Sequence, residues 1–333
     1  MLNNKNILIT GGTGSFGENF IFTLLKRYKN INKIIVFSRD EYKQFELKKR
    51  IESSKLRFFI GDIRDKDRLI QALEGVDICI HAAALKHVEA SEYNPIEFVK
   101  TNILGSQNVV EACIFNNVNK IIALSTDKAS APINLYGATK LCSDKIFTSS
   151  NRITGSRQTF FSVVRYGNVF GSRGSIVPIF LNNKELGEAP MITDKNMTRF
   201  DISLSKSIEM VLWVIKNMKG GEIFVPKLDA YKIVDLKKAI FGKNYPIKLI
   251  GKRIGEKINE DLITKNESLN TYDLGKYYAI IDISGTKDLY DKIMIKDKKI
   301  KKVNSNFEYK SDNQKFLSVD DLKKKIIEYK RQN

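Results

Sequence analysis

Short apolar runs alternate with longer amphipathic stretches through the first half of the chain. The apolar runs predict strands at residues 6–10, 33–38, 56–60 and 120–125 and in the sequence VDICIHAAA. Apolar residues at helical spacing predict helices over residues 16–25, 41–51, 68–73 and 98–116. Strands that are apolar on both faces need helices on both sides of the sheet. The pattern therefore predicts an α/β fold with a doubly wound, Rossmann-type parallel sheet.

The regular alternation ends in the middle of the chain. The last two elements of the alternation are a predicted helix over residues 136–148 and a predicted strand over residues 160–166. A region without a clear pattern follows them. We therefore expect a Rossmann-type domain over residues 1–167 and a smaller, mainly substrate-binding region over residues 168–285. Residues 286–333 form a Lys-rich extension that is predicted to end in an amphipathic helix over residues 319–329.

Composition narrows the class of protein. The 333 residues are 42% hydrophobic and 28% charged, as in an ordinary globular protein with a substantial core. The 56 Lys and Arg against 38 Asp and Glu give a net charge of +18, which indicates an anionic partner: nucleic acid, a membrane surface or small phosphorylated ligands. No apolar run is long enough to span a membrane or to form a signal peptide, so we expect a cytoplasmic protein.

Histidine and cysteine are scarce. Two histidines and no CxxC pair make a metal site implausible. Each of Cys79, Cys113 and Cys142 lies singly in an apolar stretch, so we expect all three in the core of a protein from a reducing compartment. His81, at the end of a predicted strand, is expected to point into the sheet, and Trp213 is expected in the core.

A glycine-rich turn lies between the first predicted strand and the first predicted helix. Glycines there let the backbone approach a pyrophosphate, and a helix N-terminus favours its negative charge. A purely structural turn is the weaker alternative. The predicted dinucleotide-binding residues of this turn are Gly11, Thr13, Gly14, Ser15, Phe16 and Gly17.

The end of the second predicted strand bears on which dinucleotide binds. NAD sites usually carry an acidic residue there, whereas Arg39, Lys43 and the Ser38 hydroxyl suit a 2′-phosphate. We therefore predict NADP, although Asp40 keeps NAD open and a solvated helix start is the alternative. Asp62, after the third strand, is predicted to accept a hydrogen bond from the adenine amine.

A second cluster of reactive side chains follows the fifth predicted strand. Tyr136 and Lys140 are four residues apart on a predicted helix and so share a face. A nearby lysine and a nicotinamide cation favour the phenolate of a group whose ordinary pKa is about 10. Asp127 and Lys128 are suited to act as proton donor and acceptor, and a simple ion pair or helix cap is the alternative.

These motifs resemble the extended short-chain dehydrogenase/reductase superfamily. The stretches SRDEYKQFE, HAAALKHV, LSTDKASAPINLYGATK, SVVRYGNVFGSRGSIVP, MTRFDISL and IGKRIGEKINE further resemble the inverting UDP-N-acetylglucosamine 4,6-dehydratases that begin pseudaminic acid biosynthesis. The resemblance covers roughly residues 1–285. It implies bound, recycled NADP, UDP-N-acetylglucosamine as substrate, removal of water across C5 and C6, and inversion at C5.

The resemblance also implies roles for individual residues. Tyr136 and Lys140 would hold the nicotinamide ribose and assist oxidation at sugar C4. Lys128, with a pKa lowered by burial, would remove and return the C5 proton, and Asp127 would help the 6-hydroxyl to leave. Further residues implied at the cofactor are Ile63, Ala82, Lys86 and Arg173, and those implied at the substrate are Lys86, Asn168, Thr198, Arg199, Arg253 and Glu256.

Two positions depart from the resembled pattern, and several alternatives stay open. Asn259 stands where histidine is frequent, and Asp201 where an aromatic residue is usual. The first alternative is a UDP-sugar 4-epimerase or a multifunctional dehydratase/epimerase, and the second is a non-catalytic NADP-binding regulator. We expect a homo-oligomer with no nucleic-acid or membrane partner, and either pseudaminic acid or a capsule or O-antigen sugar downstream.

Overall fold

A computed structural model describes residues 2–172, 174–281, 283–296 and 299–332. Its first part alternates strands and helices as predicted. The strands are β1 (Asn6–Thr10), β2 (Lys33–Ser38), β3 (Leu56–Ile60), β4 (Ile78–His81), β5 (Lys120–Thr126) and β6 (Phe160–Tyr166). The helices are α1 (Ser15–Arg27), α2 (Glu41–Arg50), α3 (Lys66–Ala72), α4 (Val88–Tyr93), α5 (Pro95–Phe98), α6 (Gly105–Phe115) and α7 (Leu135–Ser149).

The six strands form a parallel sheet in the order β3-β2-β1-β4-β5-β6. The strand order reverses between β1 and β4, which confirms the predicted doubly wound fold. In such sheets ligands bind at the carboxyl ends of the strands, beside this reversal.

The second part of the chain extends the same sheet. Its helices are α8 (Ile176–Glu185), α9 (Leu204–Asn217), α10 (Ile233–Phe241), α11 (Lys265–Ser268), α12 (Ser284–Lys296) and α13 (Val319–Gln332). Its strands are β7 (Met191–Ile192), β8 (Thr198–Phe200), β9 (Glu222–Pro226), β10 (Ala230–Lys232), β11 (Lys248–Leu249), β12 (Asp261–Ile263), β13 (Thr271–Asp273), β14 (Tyr277–Ile281), β15 (Lys301–Lys302) and β16 (Tyr309–Lys310). Strand β9 adds to β6 in parallel, and β14, β13 and β15 follow antiparallel, which gives the sheet ten strands among the described residues.

The helix predicted over residues 98–116 is divided by a π-helical turn, Val99–Leu104. Asn102 lies in this turn, and its side-chain amide donates to the Leu85 carbonyl (2.9 Å) and to the Thr139 hydroxyl (3.0 Å). The amide oxygen of Asn102 accepts from the Leu85 N–H at 2.9 Å. The irregular turn thus ties α7 to the segment after β4. Irregular helical turns of this kind are frequent next to functional sites.

The remaining expectations about the core are partly corrected. Cys79 and Cys113 are buried, but Cys142 is exposed because its position on α7 faces away from the sheet core. His81 is buried as predicted, with its Nδ1 atom 2.9 Å from the Thr10 hydroxyl. Trp213 packs at the edge of the core against Phe224.

A second hydrophobic cluster lies beside the main one. Helices α8, α10 and α13 supply residues to it, including Phe180, Leu236 and Leu322, so the C-terminal extension is packed onto the molecule. Across the described ranges, no helix is both long and apolar enough to cross a lipid bilayer.

Candidate active site

A cavity of about 360 Å³ lies at the carboxyl ends of β1 to β4. Twelve of the predicted cofactor-binding residues line it: Gly11, Thr13, Gly14, Ser15, Ser38, Arg39, Asp40, Lys43, Asp62, Ile63, Ala82 and Lys86. Phe16 instead stacks on Phe20 within α1. A Cβ atom on Gly17 would come within 2.5 Å of the Gly12 Cα, so Gly17 lets α1 pack against the turn.

The glycine turn brings backbone close to backbone. Gly11 has a φ of +66°, and a Cβ atom there would lie 2.9 Å from the Ala83 backbone. Among the described side chains, none caps the N-terminus of α1 at Gly14. The first amide groups of the helix therefore remain available for an anion at the cavity edge.

The charged residues at the end of β2 have distinct tasks. Asp40 is the N-cap of α2 and accepts from the Lys43 N–H at 3.0 Å, a hydrogen bond that lowers the pKa of its carboxyl group. Arg39 lies 3.7 Å from Asp62, and Arg64 lies 2.7 Å from the same carboxylate. Burial opposes ionisation of Asp62, but hydrogen bonds from Arg64 outweigh it and lower the pKa.

A second cavity, of about 560 Å³, lies beyond β5 and β6. Of the predicted substrate-side residues, it is lined by Asn168, Arg199, Arg253 and Glu256, together with Lys128. Its apolar wall includes Ile176, Ile179, Phe180, Met191 and Ile192. A cavity lined by both charged and apolar side chains suits a ligand with a charged end and an apolar face.

Three predicted residues have other surroundings. Thr198 is buried, and its hydroxyl bonds the side chains of Asn259 (2.9 Å) and Ser311 (2.6 Å). Lys86 lines the first cavity and not the second. Arg173 lies outside the described residues.

The charged side chains next to the second cavity form a compact group. The Lys128 ammonium donates to the Asp127 carboxylate at 3.0 Å and to the Asn168 amide oxygen at 3.2 Å, and it lies 3.1 Å from the Glu260 carboxylate. Asp127 is fully buried, and one of its oxygens, Oδ2, has no hydrogen-bond partner among the described residues.

This group corrects the expectation for Lys128. Burial by itself lowers the pKa of Lys128, but the carboxylates of Asp127 and Glu260 outweigh burial and raise it. Burial raises the pKa of Asp127 despite the adjacent ammonium. A carboxyl group with a raised pKa beside a protonated lysine is suited to share one proton with it.

Tyr136 and Lys140 lie on α7, which begins beside this group. Burial raises the pKa of the Tyr136 phenol to about 12, although Lys128 and the Thr126 hydroxyl act in the other direction. Burial lowers the pKa of Lys140, and its ammonium donates to the Leu124 carbonyl at 2.8 Å. Both side chains are more than nine-tenths buried.

Sequence reasoning missed three residues of this site. Glu260 directly follows the noted Asn259 and contacts Lys128. Asn134 caps α7 and also donates to the Gly255 carbonyl at 2.7 Å, joining α7 to the cavity wall. Gly137 follows Tyr136, and a Cβ atom there would lie 2.2 Å from the Lys128 carbonyl oxygen. The quoted motifs contain all three, but their contacts are between residues distant in sequence.

Comparison with known proteins identifies the family. The model of the polysaccharide biosynthesis protein family matches residues 7–282. The chain belongs to this family. The UDP-N-acetylglucosamine 4,6-dehydratase (inverting) of Campylobacter jejuni is 52% identical over 316 residues, 94% of each chain, which confirms the resemblance found in the sequence.

Other relatives carry different names. The UDP-glucose 4-epimerase of Rickettsia akari is 41% identical and covers 98% of this chain and 96% of its own. The structure of Pen from Bacillus thuringiensis matches with a TM-score of 0.90 and 36% identity over 99% of both chains. DesIV, a dTDP-glucose 4,6-dehydratase from Streptomyces venezuelae solved with NAD, shares the fold, with a TM-score of 0.69 and 24% identity over 76% of this chain and 86% of its own.

Proposed function

We propose that this protein is an NADP-dependent UDP-N-acetylglucosamine 4,6-dehydratase that inverts C5. The observation that carries the proposal is the Asp127–Lys128 pair at the second cavity, next to Tyr136. An acid and a base side by side suit elimination of water, which a simple epimerase does not perform. The 52% identity to a dehydratase of this name supports the proposal.

The first cavity fits a dinucleotide with a 2′-phosphate. Backbone amides at the start of α1 suit the pyrophosphate, and Arg39 and Lys43 on the wall suit the additional phosphate. The Asp40 carboxylate is already used to cap α2, which favours NADP over NAD. When bound, NADP would accept the hydride from sugar C4 and return it at C6.

The second cavity fits the nucleotide sugar. We assign Arg199 and Arg253 to the diphosphate end, with Glu256 and Asn168 as hydrogen-bonding partners on the same wall. Thr198 supports this wall through its buried hydroxyl. Arg173 keeps its predicted role at the diphosphate and cofactor.

Lys128 on the cavity wall and the buried residues behind it then divide the proton transfers. Tyr136 takes the O4 proton as phenolate, a form that burial disfavours in the site as it stands and that the Lys140 ammonium and the positive charge of a bound nicotinamide would favour. The C4 ketone makes the C5 hydrogen acidic, so Lys128, as amine, removes it. Asp127, as acid, protonates the departing 6-hydroxyl. Addition of a proton from solvent to the other face of C5 gives the inverted sugar, and release of the O4 proton from Tyr136 to solvent balances it.

One proton transfer prepares both Lys128 and Asp127 for the elimination. In the resting site Lys128 is an ammonium, 3.0 Å from the Asp127 carboxylate, whose pKa burial raises. Movement of one proton from Lys128 to Asp127 is uphill in the resting site, because Asp127 and Glu260 raise the Lys128 pKa, and it gives the amine and the carboxylic acid that the elimination needs. The pair thereby acquires both roles without a proton from solvent.

The decisive experiment is product analysis. The purified protein is incubated with UDP-N-acetylglucosamine and NADP, and the sugar is followed by ¹H and ¹³C NMR. We expect a 4-keto-6-deoxy sugar with L-arabino configuration. A product that retains its 6-oxygen contradicts the proposal and supports a 4-epimerase, the second candidate, which the names of the Rickettsia relatives favour.

The proposal also covers the pathway that uses the product, the oligomeric state and the location of the protein. The product would enter synthesis of pseudaminic acid or of a related sugar of surface polysaccharides. We also retain the predictions of a homo-oligomer and of a cytoplasmic location.

A further inference from the structure

The buried carboxylate of Glu260 lies 3.1 Å from the Lys128 ammonium and lines the second cavity. We propose that Glu260 is a positioning residue that directs the Lys128 amino group and makes it a stronger base toward sugar C5. The inference rests on the proposed dehydratase function. The proton transfers proposed for Asp127, Lys128 and Tyr136 do not involve Glu260, and the inference gives Glu260 a role beside them.

The contacts of Lys128 are the first argument. An ammonium has three N–H donors, and three acceptors surround this one: Asp127 at 3.0 Å, Glu260 at 3.1 Å and Asn168 at 3.2 Å. When Asp127 takes up a proton it no longer carries charge. Glu260 then remains as the anion that stabilises the ammonium formed when Lys128 accepts the C5 proton.

The burial of Glu260 is the second argument. Its side chain is 2% exposed, and its second oxygen, Oε2, lacks a hydrogen-bond partner in the ranges that the structure describes. A buried carboxylate oxygen without a hydrogen-bond partner costs stability, and a role in the reaction explains why such a group is kept. The other charged groups that face it are Asp127 after β5, Arg199 on β8 at 3.8 Å, and Lys257 in its own segment.

The C-terminal extension supplies the third argument. Ser311 holds the Glu260 backbone from both sides: its hydroxyl accepts from the Glu260 N–H, and its own N–H donates to the Glu260 carbonyl, each at 2.9 Å. The same hydroxyl bonds Thr198. Strand β16, just before Ser311, pairs with β12, just after Glu260. The Lys-rich extension thereby fixes where the carboxylate meets Lys128.

Glu260 is expected to affect one step of the reaction, the removal of the C5 proton by Lys128. The C5–H bond breaks, the proton forms an N–H bond on Lys128, and the electron pair enters the enolate of the C4 ketone. Removal of the Glu260 charge weakens Lys128 as a base in this step. Oxidation at C4, which uses Tyr136, does not depend on this charge to the same extent.

The test compares Glu260→Gln with the wild-type enzyme and with Glu74→Gln, an exposed control of the same chemistry. Two steps are measured across pH in D₂O: C4 oxidation, by transient reduction of the nicotinamide, and C5 exchange, by loss of the ¹H signal. We expect the pH-independent rate of C5 exchange, which reports the amine itself, to fall at least about tenfold more than that of C4 oxidation, with the acidic limb about one to three units lower in pH because the amine forms more readily. Glu260→Asp keeps the charge and should restore part of the exchange.

The outcomes separate the inference from the proposed function. Equal losses in both steps, or an unshifted pH profile, overturn the role of Glu260 even if the wild-type protein makes the expected product. A wild-type protein without dehydratase activity contradicts the proposed function. In that case ¹⁵N-lysine NMR decides the inference, which requires a lower Lys128 pKa in Glu260→Gln. If Glu260→Gln does not fold, Ser311→Ala must shift the profile in the same direction.

Discussion

The Lys325 ammonium on α13 lies 2.9 Å from the carboxylate of Asp201, which is 5% exposed, just after β8. Lys325 also lies over the ring of Phe170, 5.2 Å from its centroid. Asp201 is the position at which the resembled family usually has an aromatic residue. The structure therefore explains the departure, because the C-terminal extension brings a cation to this buried acid.

Replacement of Lys325 tests this anchoring. We expect Lys325→Met to destabilise the protein by about 3 to 5 kcal/mol, since it leaves a buried carboxylate without its partner. Urea unfolding measures the loss. The double variant Asp201→Asn/Lys325→Met serves as the control and should recover much of the stability. A double variant as unstable as Lys325→Met would show that the ion pair is not the cause.

The separation of oxidation from elimination can be tested at Lys128. We expect Lys128→Ala to slow dehydration by about 10² to 10⁴-fold, because the C5 base is gone, while C4 oxidation falls less. Transient nicotinamide reduction and product NMR measure the two steps. Equal loss of both would argue against Lys128 as the C5 base.

Close packing at Gly137 allows a sharp structural test. A Cβ atom there would lie 2.2 Å from the Lys128 carbonyl oxygen, so Gly137→Ala must move α7 away from the turn that carries Lys128. We expect a loss of about 1 to 3 kcal/mol in stability, and reduced activity in the folded fraction. Gly285→Ala on α12 is the matched control, since a Cβ atom there meets no atom within 4 Å. Equal stability of the two variants would contradict the packing argument.

The cofactor preference can be tested at Arg39. We expect Arg39→Ala to weaken NADP binding by about 10 to 100-fold, the usual effect of losing a hydrogen bond to a charged group, and NAD binding much less. Calorimetric titration with both dinucleotides gives the ratio. Arg152→Ala, at an exposed arginine, is the control. A parallel loss for both dinucleotides would place Arg39 away from the 2′-phosphate.

The pH dependence of stability can be tested at His81. Burial, with a smaller contribution from Lys140, lowers the pKa of His81 from 6.5 to about 3. The unfolded chain therefore binds a proton below pH 6.5 that the folded protein does not bind until about pH 3. The stability that neutral, buried His81 contributes to the folded protein is therefore fully present above pH 6.5 and is lost as the pH falls toward 3.

Replacement of His81 should remove this slope. We expect the stability of the wild type relative to His81→Gln to begin to fall near pH 6.5 and to reach a slope of about 1.4 kcal/mol per pH unit from about one unit below that value. Urea unfolding at several pH values measures it. A difference that stays constant with pH would show that His81 is not the titrating group.

Much of the fold could be predicted from the sequence. The strands β1 and β6 and the helices α1 and α7 were found within about two residues, because each carries its own hydrophobic period. The π-helical turn at Asn102 was not found, since its cause is a set of hydrogen bonds to Leu85 and Thr139. The exposure of Cys142 was missed because an apolar neighbourhood in sequence does not say which face of a helix is covered.

The sequence by itself determined the doubly wound fold, the glycine turn and the presence of Asp127, Lys128 and Tyr136. These features depend on residues that are adjacent in the chain, so their spacing records them. The tertiary structure alone decided the charge state of Lys128 and the tasks of Glu260 and Asp201. Those depend on side chains from distant segments, including Ser311 and Lys325 of the extension, that only folding brings within hydrogen-bond distance. Burial then raises the strength of each charge interaction, and no local pattern in the sequence encodes burial of this kind.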